Sequence, residues 1–217
     1  MKIKSIILGI ILLASLNSLF AQGKHSLGFK AALTLSNPSI DVTSTSAKID
    51  LTNKIGFSFG GFFDLIQSDK FTLQTELYFS RKIIKADYIP SFYENPSNYT
   101  HRVDYVIYGV SFKFNFIEKD VSPFVYLEPR LNFYLRDKSI EASEEIPLNT
   151  NDLISERMTK LGFGVNLGGG VDLMRGTDFN FFLEVQFCPD FFNAFEDGYV
   201  EAKSNSIEFR IGYGFGL

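Results

Sequence analysis

Eight ionisable side chains carry the strongest hint of chemistry in this chain. Lys30, Lys113, Arg130 and Arg210, with Glu76, Glu128, Glu184 and Glu208, are spread over almost its whole length. Each stands in a stretch where bulky apolar residues alternate with small or polar ones, and each falls on the small, polar parity. Four cations and four carboxylates on one parity suit a closed, mutually compensated ion-pair network, because charges leave water only when paired and hydrogen-bonded. The expected role of the eight is structural, not catalytic. Other reactive residue types are sparse: two histidines, His25 and His101, and one cysteine, Cys188, which excludes an internal disulfide and a Cys-rich zinc site. His25 reads as a solvated residue at the start of the first alternating stretch. His101 ends a polar segment, and Ser80, Ser91, Ser97 or Glu94 would be its partners in acyl chemistry on a lipid. No spacing selects among them.

Phosphate loops, His-Glu-x-x-His and Gly-x-Ser-x-Gly are absent from the sequence. Gly162-Phe-Gly-Val-Asn-Leu-Gly168 has the look of a dinucleotide loop but lies inside a strand pattern and opens no helix. Glu141, Glu144, Glu145, Asp152 and Glu156 lack the compact alternation of a Ca²⁺ loop and read as a solvated acidic loop. No cofactor, metal or catalytic residue is therefore expected.

The elements that must position the eight charges are strands. Alternation runs through 26–35, 54–65, 71–80, 105–116, 125–135, 160–172, 179–188 and 206–217, eight stretches in all. The joints 66–70, 117–122 and 174–178 are short and polar, whereas 36–53, 84–102, 137–158 and 189–205 are long. Short and long joints in strict alternation are the order of an all-β, eight-stranded antiparallel up-and-down barrel with one end of turns and one end of loops. Tilted strands of this length cross a hydrocarbon layer.

Alternation alone leaves open which face points outward, since a soluble barrel also alternates. Of the 24 Phe, 16 share the bulky parity, too much side chain for the bore of an eight-stranded barrel. Of the 17 Gly, 11 share the other parity, which suits a cramped interior better than a water-exposed face. The bulky face is therefore expected to meet lipid, and the bore to be filled rather than open. Trp is absent, leaving Tyr105, Tyr108, Phe79 and Phe133 as candidates for the interfacial girdles.

Composition agrees. The 21 Lys+Arg against 25 Asp+Glu, a formal net charge of −4, exclude a typical nucleic-acid binder. Lys2 and Lys4 precede an apolar run, Ile6 to Leu13, and Ala21-Gln22 follows it. This is the layout of a secretory signal peptide, residues 1–21, ahead of a barrel domain, residues 22–217.

The signal ending at Ala21-Gln22, the eight-strand pattern and the terminal Ile-Glu-Phe-Arg-Ile-Gly-Tyr-Gly-Phe-Gly-Leu of 207–217 together resemble the PorT-type outer-membrane β-barrel proteins of the Bacteroidetes. That family is similar in architecture to the membrane domain of OmpA. The resemblance implies an integral protein of the bacterial outer membrane, with its last strand read by the barrel-insertion machinery. Some members are accessory parts of a protein secretion system. The expected function is that of a closed barrel acting as a structural or recognition protein. Outer-membrane lipid surrounds it, and the aromatic-rich loops (Tyr88, Phe92, Tyr93, Tyr99; Phe191, Phe192, Phe195, Tyr199) either face a protein or glycan partner or rest on the lipid interface and on one another. A secretion accessory, a narrow gated pore and an envelope lipid-modifying enzyme are the alternatives.

Overall fold

A computed structural model describes residues 25–42, 47–90, 97–117, 120–142, 160–174, 179–190, 195–197 and 200–217. The signal segment lies outside them, as do Ser91, Phe92, Tyr93, Glu94, Glu144, Glu145, Asp152, Glu156, Phe191, Phe192 and Tyr199. Ten strands are present among the described residues: β1 (Ser26–Val42), β2 (Ala47–Asn53), β3 (Ile55–Gln67), β4 (Phe71–Pro90), β5 (Ser97–Asn115), β6 (Val121–Ala142), β7 (Leu161–Leu173), β8 (Phe179–Cys188), β9 (Phe195–Asp197) and β10 (Val200–Gly216). Eight of them close the barrel in the order β1-β3-β4-β5-β6-β7-β8-β10, each antiparallel to its neighbours. The seam is the pairing of β1 with β10, in register from Ser26↔Gly216 to Val42↔Val200. Closure leaves no free edge within the barrel, the condition for crossing lipid with strands.

Side chains of period two then divide cleanly between two surroundings. Phe29 is 65% exposed and Leu33 58%, while Thr34, next to Leu33, is fully buried. The same contrast follows every barrel strand, so the bulky parity faces out and the glycines and charges face in. The outward row of β4 is Phe71, Leu73, Thr75, Leu77 and Phe79, and that of β10 is Ile207, Phe209, Ile211, Tyr213 and Phe215. Five outward positions span about ten residues, or about 25 Å after tilt, the height of the apolar band of an outer-membrane barrel. Tyr108 (42% exposed) and Phe133 (41%) lie on that outer face. Tyr105 does not: it is buried in the bore with Tyr78, Val103 and Ile107.

The turn end matches the sequence pattern. Between β3 and β4 a short turn is closed by Ser68, whose hydroxyl accepts from Phe71 N at 3.1 Å. The loop end differs. Much of what reads as long loop is strand: β1 continues to Val42, β4 runs on to Pro90, β5 begins at Ser97 and β6 extends to Ala142. β2 carries the line of β3 upward past Lys54 and pairs with β4 from Asn53↔Ile84 to Ala47↔Pro90. The ladder thus outlasts the apolar alternation. Above the lipid band neither face requires a run of large apolar residues, so the periodic signal fades while the main-chain pairing continues. β5 and β6 also slip register between Asp104 and Tyr105, opposite Arg136 and Tyr134. The extra residue, Leu135, is a bulge that reverses the parity of β6 from Arg136 to Ser139, until a second shift, between His101 and Thr100, skips Ile140.

Candidate functional site

Among the described side chains the bore is packed, and its glycines make room for the packing. A Cβ on Gly212 would lie 2.0 Å from the Phe182 ring, one on Gly28 2.4 Å from the Phe62 ring, and one on Gly168 2.4 Å from Tyr126. Phe62, Phe124, Tyr126 and Phe182 thereby meet as a buried aromatic layer near the turn end. Lys113 Nζ rests 3.7 Å from the Phe124 centroid, and Lys30 Nζ is 5.4 Å and 5.1 Å from those of Phe62 and Phe182. Such cation–π contacts strengthen where water is excluded.

Above this layer is the main charge cluster. Lys30 Nζ donates to Glu76 Oε1 at 2.5 Å and to Glu184 Oε1 at 3.2 Å. Arg210 donates from Nη1 to Glu76 Oε2 and from Nε to Glu208 Oε2, both at 3.0 Å. Arg210 Nη1 also lies 3.6 Å from Glu184 and 4.0 Å from Glu128, and its guanidinium stacks 4.6 Å over the Tyr78 ring. Tyr126 donates its hydroxyl proton to Gln186 Oε1, and Gln186 Nε2 donates to Glu208, each at 2.8 Å. Six of the eight charges expected to form a network therefore meet here: Lys30, Glu76, Glu128, Glu184, Glu208 and Arg210.

The other two go elsewhere, which corrects the picture of four cations facing four glutamates. Lys113 pairs with Asp172 at 2.6 Å, near the turn end, where Asn115 donates to the same carboxylate at 2.8 Å. Arg130 pairs with Asp190 at 2.7 Å, toward the loop end, and donates through Nε to Asn166 at 2.6 Å and through Nη1 to Asn132 at 2.5 Å. Lys82 Nζ reaches the other oxygen of Asp190 at 3.5 Å. Asp172 and Asp190 compete successfully because each stands at the depth of its cation, one low and one high in the bore. The central cluster is left with four carboxylates and two cations. Its least satisfied member is Glu128, whose Oε1 accepts from Asn166 at 2.7 Å while the buried Oε2 has no hydrogen-bond partner.

Asp64, buried near the turn end, accepts from Gln74 at 2.6 Å and from the Ser26 hydroxyl. Asp64, Asp172, Lys82 and Asp190 were all missed as network members. The signal was available for Asp64 and Asp172, which share the inward parity of their strands. Lys82 and Asp190 continue that parity two residues past Ser80 and Cys188. Cys188 itself is free and buried in the bore. Of the hydroxyls proposed to meet His101, Ser80 is fully buried inside the barrel. The backbone of His101 pairs with Ile84 on β4.

An exterior of lipid-facing side chains around a sealed polar bore has its counterpart among known proteins. The family model described as an outer membrane protein β-barrel domain matches residues 20–196. The chain belongs to that family. No curated protein matches the sequence. Among solved structures, the outer membrane protein OprG of Pseudomonas aeruginosa superposes with a TM-score of 0.55 at 12% identity, over 90% of this chain and 96% of that one. Neisserial surface protein A (NspA) gives 0.49 at 13% identity, covering 89% and 97%. At these identities OprG shares the fold alone. Together with the family, that fold makes this an integral barrel of the outer membrane.

Proposed function

We propose that this outer-membrane barrel is a sealed anchor that holds projecting strands for recognition outside the cell. The observation that carries the reading is the solvent exclusion of the bore: Glu128 is 0% exposed, Glu76 2% and Arg210 4%, all within one connected set of ion pairs. A general diffusion pathway needs water along its axis, and charge-assisted contacts here occupy that axis instead. What remains for interaction is the upper wall, where β4 and β5 pair as far as Tyr88↔Ser97 and β2 backs β4. A partner protein or glycan at that wall is the favoured contact. The C-terminal strand, with Phe209, Ile211 and Tyr213 facing lipid, suits recognition by the barrel-insertion machinery.

Photo-crosslinkers placed at Ile89 and Asn98 in native membranes test this reading. A discrete cross-linked product whose yield falls when the β4–β5 extension is shortened is the expected result. Unchanged products after shortening, or none from either position, would overturn it. An accessory role in secretion, implied by the PorT-type resemblance, would show as a secretion component in the same product.

A further inference from the structure

The outer wall carries one departure from its apolar character. Successive cross-strand rows on β4, β5 and β6 read Leu77–Tyr108–Leu131, then Phe79–Val106–Phe133, then Arg81–Asp104–Arg136, then Ile83–Arg102–Lys138. The first two rows belong to the lipid-facing band. The third and fourth hold four cations and one carboxylate at the loop end, directly above it. The bulge at Leu135 is what brings Arg136 and Lys138 to this face, because without it their parity would turn them inward.

Asp104 is wholly buried beneath its neighbours. Arg81 donates to it from Nε at 2.7 Å and from Nη2 at 3.0 Å, and Arg136 Nε donates at 2.9 Å. Arg81 also lies over the outward rings of Phe57 and Phe79, 5.2 Å and 5.5 Å from their centroids. One carboxylate is thus saturated by two arginines, and among the described side chains no second carboxylate matches the rest of the positive charge. Arg102 is 3.9 Å from Asp104, and its buried Nε–H has no hydrogen-bond acceptor. Lys138 stands directly opposite Arg102, an arrangement of like charges that weakens a sheet. The Arg136 side chain is 65% exposed. A planar guanidinium fork matches phosphate oxygens in pairs.

We infer that Arg102, Arg136 and Lys138 form a site on the barrel wall for the phosphate of an outer-leaflet lipid headgroup, with Arg81 and Asp104 as its rigid base. Depth selects a lipid over a soluble ligand: the acyl chains of a lipid held here lie along Phe79, Val106 and Phe133 in the rows beneath. The occupant neutralises the charge that the strands bring together, and it ties the barrel to one leaflet at a set height.

The test uses the full chain folded into phosphatidylcholine vesicles, alone, doped with phosphatidic acid, or bathed in inorganic phosphate. Lipids retained after mild detergent extraction are counted by native mass spectrometry, and folding is checked by heat-dependent gel mobility. Phosphatidic acid should be enriched over its bulk fraction, and the enrichment should fall about fivefold for each arginine removed in R102Q and R136Q. K70Q, in a turn at the opposite end, should leave it unchanged. If R102Q fails to fold, R136Q alone decides, since replacing its exposed side chain leaves the Arg81–Asp104 pair in place. No enrichment, equal enrichment in R136Q, an equal loss in K70Q, or heat protection by inorganic phosphate matching that of the lipid would each overturn the site.

Discussion

Arg210 and Glu128 are neighbours in the bore with opposite prospects on mutation. Arg210 contacts Glu76, Glu184 and Glu208, so R210Q takes the paired cation from Glu208 and leaves Glu76 and Glu184 to share Lys30. Removing one partner of a buried ion pair costs about 3–5 kcal/mol, and the expected outcome is a clear fall in the temperature at which the folded gel band is lost. Glu128 is surplus: it adds a fourth negative charge to a cluster with two cations, and its Oε2 has no donor. E128Q should melt no lower than the parent in the same assay. A fall as large as that of R210Q would show that Glu128 is an equal partner after all. Gly212 offers a steric test. A Cβ there would meet the Phe182 ring at 2.0 Å, so G212A should destabilise by about 1–3 kcal/mol through overpacking. The second substitution F182L should recover part of that loss, which a double-mutant cycle in urea would measure.

The strands show where a sequence pattern stops reporting structure. Within the lipid band the solvent contrast is extreme, and each strand's parity is legible residue by residue, as in Leu27 to Leu35 on β1. Beyond it, Lys85, Ala86, Asp87 and Tyr88 carry no periodic signal, yet they pair with Thr100, Tyr99, Asn98 and Ser97 across β5. Hydrogen exchange in micelles should find amides 84–88 and 97–101 protected far beyond the turn at 68–70. Exchange as fast as that turn would return this segment to a loop. The same limit explains Asp190, which lies only two residues beyond the end of β8 but was placed in a long loop, and so was lost as the partner of Arg130. Leu135 adds a different kind of blindness: a one-residue bulge leaves no mark in composition, yet it moves Arg136 from the inner to the outer parity.

For the whole molecule, two questions hang on the sealed bore and the greasy wall. In planar bilayers the barrel should pass no steady current, because the aromatic layer of Phe62, Phe124, Tyr126 and Phe182 and the ion pairs above it fill the section. Lasting open channels would overturn the anchor reading in favour of a pore. Spin labels at Phe57, Phe114 and Ile211 should relax with oxygen dissolved in lipid and ignore a water-soluble nickel complex. The reverse result would place the bulky face away from lipid.

The sequence by itself determined the number of barrel strands, the turn end, the parity of each membrane-crossing strand and, from the crowding of Phe on one parity and Gly on the other, which face meets lipid. These follow from local rules, since a period of two and a short polar turn are written in consecutive residues. Only the tertiary structure decided which charge meets which, how far the ladder rises above the band, and that four cations gather beside Asp104. Those depend on stagger between neighbouring strands and on a bulge. Lys30 meets Glu184 across 154 residues of chain, and no local pattern records the height at which two distant strands align.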